Sequence, residues 1–115
     1  MRLISFSMTE AAFVAGTKTV TRRLGWTWLA PGARLMAVDK AMGFKRGERP
    51  RHLGVIEVVS VRRERLDAIT PEDVVAEGVE NVSTPESFVA GFCKAMRCQP
   101  DTLVTRIEFV RVGVS

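Results

Sequence analysis

Histidine occurs once in this chain of 115 residues and cysteine only twice. That shortage excludes a zinc cluster, which draws about four ligands from such side chains. The spacing of Cys93 and Cys98 fits neither a zinc site nor a redox pair, so both read as free thiols. No metal and no cofactor is implied. No apolar run approaches the roughly 20 residues of a membrane helix, and the N-terminus lacks the layout of a signal peptide. The expectation is a cytoplasmic protein with no membrane partner. P-loop and dinucleotide glycine patterns are missing, as are internal repeats and low-complexity segments.

What is present is ordinary in bulk and uneven in detail. A hydrophobic content of 46% with 26% charged residues suits a single globular domain over residues 1–115. A chain of this size buries about two-thirds of its unfolded surface. The net charge of +4 resides in "KAMGFKRGERPRH", where Lys40, Lys45, Arg46, Arg49 and Arg51 face Glu48 alone. The rest of the chain is balanced. Such a segment either attracts a polyanion such as RNA or is a loop kept solvated by its charges.

"RLISFS" (Arg2–Ser7) alternates like a short strand, and a helix capped by Ser7 or Thr9 runs from there to Gly16. "TKTVTRR" has the β-branched content of a strand, and "APGARLMAVDK" reads as a turn at Pro31-Gly32 leading into another. "HLGVIEVVSVRRERL" carries the strongest strand signal. "TPEDVVAEGV" and "TPESFVAGFCKAM" both begin with a capping threonine, a proline and acids, which marks two helix starts. "TLVTRIEFVRV" closes the chain as a strand. This order departs from strict βα alternation and predicts an α+β domain, a small mixed or closed sheet flanked by short helices.

The segment "GTKTVTRR" holds one lysine, three threonines and two arginines within seven residues. It reads as a solvated polar strand, as a phosphate grip, or as a lysine set beside a hydroxyl for nucleophilic chemistry. Together with "PGARLMAV", "GVIEVVSV", "LDAITPEDVVAEGV" and "RIEFVRV" it resembles the ASCH domain, a small β-barrel relative of the PUA RNA-binding fold. The resemblance implies a small PUA-like mixed β-barrel flanked by short helices. Within that superfamily the chain is most similar to the small bacterial N(4)-acetylcytidine amidohydrolases, which share a K-T-x-T segment, an L-D-x-[LI]-T helix entry and a closing I-E-F strand. It departs from them at Gly32-Ala33, where the family often has Gly-Asp, and in "LGWTWLA" with the arginine pair after Thr21.

On that resemblance Lys18, Thr21 and Glu77 match the family's catalytic lysine, threonine and glutamate. The substrate implied is a small acylated cytidine, hydrolysed without a metal. The chemistry is coherent: a threonine hydroxyl needs a base, and burial with neighbouring cations favours a neutral lysine. Arg22 and Arg23 are the candidate cations, and Glu77 would donate the proton to the departing nitrogen. One geometric condition applies. In a straight strand Lys18 and Thr21 point to opposite faces, so they converge only if Lys18 sits in the bend after Gly16 or a bulge intervenes.

Further candidates surround this motif. Phe6 and Ser7 are candidates to line the pocket, with backbone amides at the first helix start offered to an oxyanion. Trp26 and Trp28 either stack on a pyrimidine or simply pack. Of Arg22 and Arg23, extended geometry sends one to the site and the other to a surface ion pair. Glu57 and Glu108 read as partners of buried arginines. Two other functions compete with the deacylase: an RNA-binding module using Lys40, Lys45, Arg46, Arg49 and Arg51, and a ribonuclease in which lysine and arginine stabilise a phosphorane-like transition state.

Overall fold

The apolar run after His52 forms the backbone of the sheet. In the computed structural model, which describes residues 1–112, the strands are β1 (Leu3–Ser5), β2 (Val20–Arg23), β3 (Arg34–Val38), β4 (His52–Arg65) and β5 (Leu103–Arg111). The helices are α1 (Glu10–Ala15), α2 (Pro71–Glu77) and α3 (Pro85–Met96), with a 3-10 turn at Leu66–Ala68. All five strands make one mixed sheet in the order β1-β3-β4-β5-β2, with β1 and β3 parallel and the other pairs antiparallel. The expected α+β class is what forms.

The sheet curls. Laid flat, its edge strands β1 and β2 would stand about 19 Å apart at the usual strand spacing. Yet the Arg23 guanidinium on β2 donates to the Ser5 carbonyl on β1 at 2.6 Å. Inside the curl, Phe6, Phe13 and Phe109 pack with centroids 5.0 to 6.1 Å apart, joined by Ile4, Leu35, Ile56, Val58 and Ile107. A second apolar cluster of Leu66, Ile69, Val74, Phe88 and Val104 fills the space under α2 and α3.

A bulge in β4 explains its uninterrupted valines. Val58 pairs with Phe109 and Ser60 with Glu108, so Val59 is the extra residue, 46% exposed. Before it the even positions Ile56 and Val58 face the core; after it the odd position Val61 does.

Helix starts follow the sequence signals. Thr70 accepts from the Asp73 amide, and Thr84 forms a capping box with Ser87. Thr9 caps α1 without a side-chain bond. The strand expected over "TKTVTRR" is shorter, because Thr17 to Thr19 form the link from α1. Cys93 and Cys98 are free, as read, but the left-handed turn at Arg97 brings their sulfurs to 4.0 Å, closer than sequence spacing suggested. Among the described residues no helix is long and apolar enough to cross a membrane.

Gly78 ends α2 with φ +69°, and a Cβ there would lie 2.7 Å from Ala12 Cβ and 3.3 Å from Lys18 Cβ. Gly78→Ala should therefore cost about 2–3 kcal/mol in urea denaturation, through overpacking as well as backbone strain. Gly91→Ala, in α3 with open space around it, should instead stabilise by about 0.5–1 kcal/mol.

Candidate functional site

Register puts three arginines in one row. Arg62 on β4 is opposite Arg106 on β5, and Arg106 is opposite Arg22 on β2. Directly paired residues share a face, so the row would repel itself. Three carboxylates lace it together. Asp73 and Glu77 are four residues apart on α2 and so share the helix face turned to the sheet, while Glu64 lies two residues along β4 from Arg62.

Arg22 is the centre. Its NH1 donates to Glu77 Oε2 at 3.0 Å, and its NH2 to Glu64 Oε2 at 3.0 Å and Asp73 Oδ2 at 2.5 Å. Arg106 grips Asp73 through Nε at 2.6 Å and NH2 at 3.1 Å, and Arg62 Nε meets Glu64 Oε1 at 2.6 Å. Burial opposes the charge on Arg22, but Asp73, Glu77 and Glu64 outweigh it and raise its pKa. Arg106, then Arg22, pull the Asp73 carboxyl down to about 2. Among the described residues, Arg22 Nε is the buried side-chain donor left without a partner. The three carboxylates converge on the Arg22 guanidinium.

Lys18 enters this network from the bend between α1 and β2. Its amide donates to Ala12 O, and its amine donates to the Glu77 carbonyl at 2.6 Å and to Glu77 Oε1 at 3.2 Å. Lys18 and Glu77 are 4% and 3% exposed. Burial above all, then Arg23 and Arg22, push the Lys18 amine below the ordinary lysine value against the pull of Glu77. The charge count agrees with that direction: Arg22, Arg23, Arg62 and Arg106 already outnumber Glu64, Asp73 and Glu77 before Lys18 is added.

Thr21 is 3% exposed and faces the other way, opposite Ile107 toward the interior. Its Oγ1 accepts from Arg23 Nε at 3.1 Å. The partly exposed Arg23 makes no ion pair among the described residues, and burial lowers its pKa to about 10. Its guanidinium lies 5.3 Å from the Phe6 ring centroid, and Lys18 Nζ lies 5.6 Å from the same centroid. Phe6 thus joins the two halves. A groove of about 310 Å³ lined by Gly16, Lys18, Thr19, Phe109, Val110 and Arg111 reaches Lys18; Thr21 and Glu77 are not part of its lining.

Several sequence expectations change here. Lys18 sits in the bend after Gly16, as the geometric condition required, but its amine bonds Glu77 and not Thr21. Both Glu77 oxygens accept from cationic donors, Lys18 at one and Arg22 at the other, so in this geometry Glu77 orients Lys18. Arg22, a candidate for substrate contact or a surface ion pair, is sealed in the buried network. Arg23 is the arginine on Thr21's face. Ser7 is exposed, and α1 begins at Glu10, after it. Trp26 stacks on Trp28 at 5.3 Å and packs against the core. Glu57 pairs with the exposed Arg34, and Glu108 accepts from Ser60; the buried arginine found its carboxylates on α2 and the far end of β4. Asp73, Glu64 and Arg106 escaped the sequence reading. The four-residue spacing of Asp73 and Glu77 was the available signal.

The depressed Asp73 pKa has a signed consequence. A carboxylate whose folded pKa lies below its unfolded value contributes stability that is present above pH 3.8 and lost as pH falls toward about 2. Asp73→Asn should lose about 2 kcal/mol or more at neutral pH, and its urea-denaturation profile should be flatter than the parent's across that acid window.

No family model matches the chain, and no curated protein matches it. Solved structures do share its fold. A protein from Enterococcus faecalis, of family DUF984, superposes with a TM-score of 0.63 at 17% identity, covering 90% of this chain and 69% of its own. An ASCH domain from Lactobacillus crispatus superposes with a TM-score of 0.64 at 15% identity, covering 96% of this chain and 78% of its own. The likeness is one of fold: this chain shares the mixed α+β architecture of that ASCH domain.

Proposed function

We propose that the protein is an amidohydrolase that removes the acyl group from N(4)-acetylcytidine and related N(4)-acyl cytosine nucleosides, with Thr21 as nucleophile and Lys18 as its base. The observation that carries the reading is a buried amine amid surplus guanidinium charge, a few residues from a buried hydroxyl whose oxygen already accepts from Arg23. That bond leaves the hydroxyl proton to be given away, and an uncharged amine can take it. The step requires Lys18 to turn from the Glu77 carbonyl toward Thr21, which lies on the other face of β2.

As the Thr21 oxygen bonds to the acyl carbon, the carbonyl electrons move to its oxygen and the hydroxyl proton passes to Lys18. Arg23, which pairs with no carboxylate among the described residues, stabilises the oxyanion. Collapse breaks the bond to N4, and the Lys18 ammonium returns its proton to that nitrogen, releasing cytidine. Water, deprotonated by Lys18, then cleaves the threonine ester. Glu77 holds the lysine between these steps.

Purified protein incubated with N(4)-acetylcytidine should yield cytidine and acetate, followed by the change in ultraviolet absorbance. Lys18→Ala and Thr21→Ala should each lower kcat by about a thousandfold or more. Full activity in either variant ends this mechanism.

A second reading has its own observation. In the basic loop, Lys40 pairs with Glu48, and Arg51 with Glu10 and Asp39, while Lys45, Arg46 and Arg49 are exposed with no ion-pair partner among the described residues. These three suit RNA phosphates. Binding to single-stranded RNA should weaken with salt, and neutralising the three should reduce the log–log salt slope by about 0.7 for each phosphate left without its cation. Salt-independent binding removes this reading.

A further inference from the structure

We propose that Asp73 and Arg106 are positioning residues for Lys18: neither reaches its amine, yet through Arg22 they set how much positive charge it faces. The catalytic consequence rests on the deacylase reading above, whereas the geometry rests on the arginine row alone.

The groups around Lys18 come from every element packed on it. α2 supplies Glu77, in direct contact, and Asp73 one turn earlier; β2 supplies Arg22 and Arg23. β4 supplies Glu64 with Arg62, and β5 supplies Arg106 behind Asp73 and Arg111 at the groove. Glu108 of β5 is turned to Ser60. From α1 comes the uncharged Ala12.

Within this set Glu77 is divided, one oxygen toward Lys18 and the other toward Arg22. Arg22 is divided in turn among three carboxylates. Asp73 takes part of Arg22's charge, and Arg106, whose side chain bonds no other carboxylate among the described residues, takes part of Asp73's. The chain Arg106–Asp73–Arg22–Glu77–Lys18 therefore alternates in sign along its whole length. Removing Asp73's charge leaves Arg22 and Arg106 less balanced, so a proton on Lys18 is disfavoured further. Removing Arg106's charge frees Asp73 to neutralise Arg22, so the proton on Lys18 is favoured. Loss of both together removes a neutral pair.

The opposite signs make the test. The chain has four lysines, Lys18, Lys40, Lys45 and Lys94, so ¹³Cε-labelled lysine gives a spectrum in which Lys18→Met assigns the buried resonance. Its titration midpoint should fall by about half to one pH unit in Asp73→Asn and rise by about as much in Arg106→Gln. In the double variant it should return close to the parent value. If Asp73→Asn fails to fold, Glu64→Gln, which removes another carboxylate from Arg22, should give a downward shift. Unmoved midpoints, or shifts of one sign in both single variants, overturn the proposal, because a merely structural role has no reason to reverse and cancel. The acid limb of kcat/KM for N(4)-acetylcytidine should move with the same signs. Shifted midpoints in a protein that does not deacylate would refute the deacylase reading and leave this one standing. Deacylation with unmoved midpoints would do the reverse.

Discussion

An arginine that water cannot reach must be neutralised where it lies. Arg22 has a fully buried side chain, and three carboxylates from two elements meet it there. Leaving such a charge unpaired costs several kcal/mol, while the paired arrangement itself adds little net stability. Its value is placement. Only one position of α2 over the sheet brings Asp73 and Glu77 to the arginine row together, so the ion network fixes where the helix sits in a way that the apolar contacts of Val74 alone would not.

The consequence for Lys18 follows from that placement. Glu77 reaches the lysine because Arg22 holds it by its other oxygen, and Gly78 lets the helix end come close enough for the contact. Thr21 lies across the strand, under different control: its neighbours are Arg23 and Ile107. The two faces of four-residue β2 thus carry two environments, one ionic under α2 and one largely apolar inside the curl. The Phe6 ring, within 6 Å of both Lys18 and Arg23, is where they touch.

Helix starts were the most legible part of the sequence, because a capping threonine before a proline acts locally and α2 and α3 begin where it appears. Strands β3, β4 and β5 also lie within the runs whose composition marked them. β2 was overextended at its N-terminal end because threonine favours strands wherever it stands, and nothing local shows that Thr17 to Thr19 are tied to α1 and α2 instead. Lys18 and Glu77 were named through a family resemblance, and their contact is now visible. The arginine row was invisible for a stricter reason: it exists only through the register of three strands, and the bulge at Val59 shifts that register by one. In the sequence Arg22 stands out only beside Lys18, and nothing ties it to Arg62 or Arg106. The same ignorance of register misassigned Glu57 and Glu108.

The strand order also constrains when the molecule can assemble. β2 has one neighbour in the sheet, and that neighbour is β5, whose first residue lies 80 positions after the last of β2. While the chain emerges from a ribosome, Lys18, Thr21 and Arg22 have been synthesised early but have no strand to dock on until Leu103–Arg111 follow. β1, by contrast, can pair with β3 as soon as Val38 has followed it out. The segment that holds Lys18 and Arg22 is synthesised before β3, β4 and β5, yet it is seated in the sheet only after the last of them.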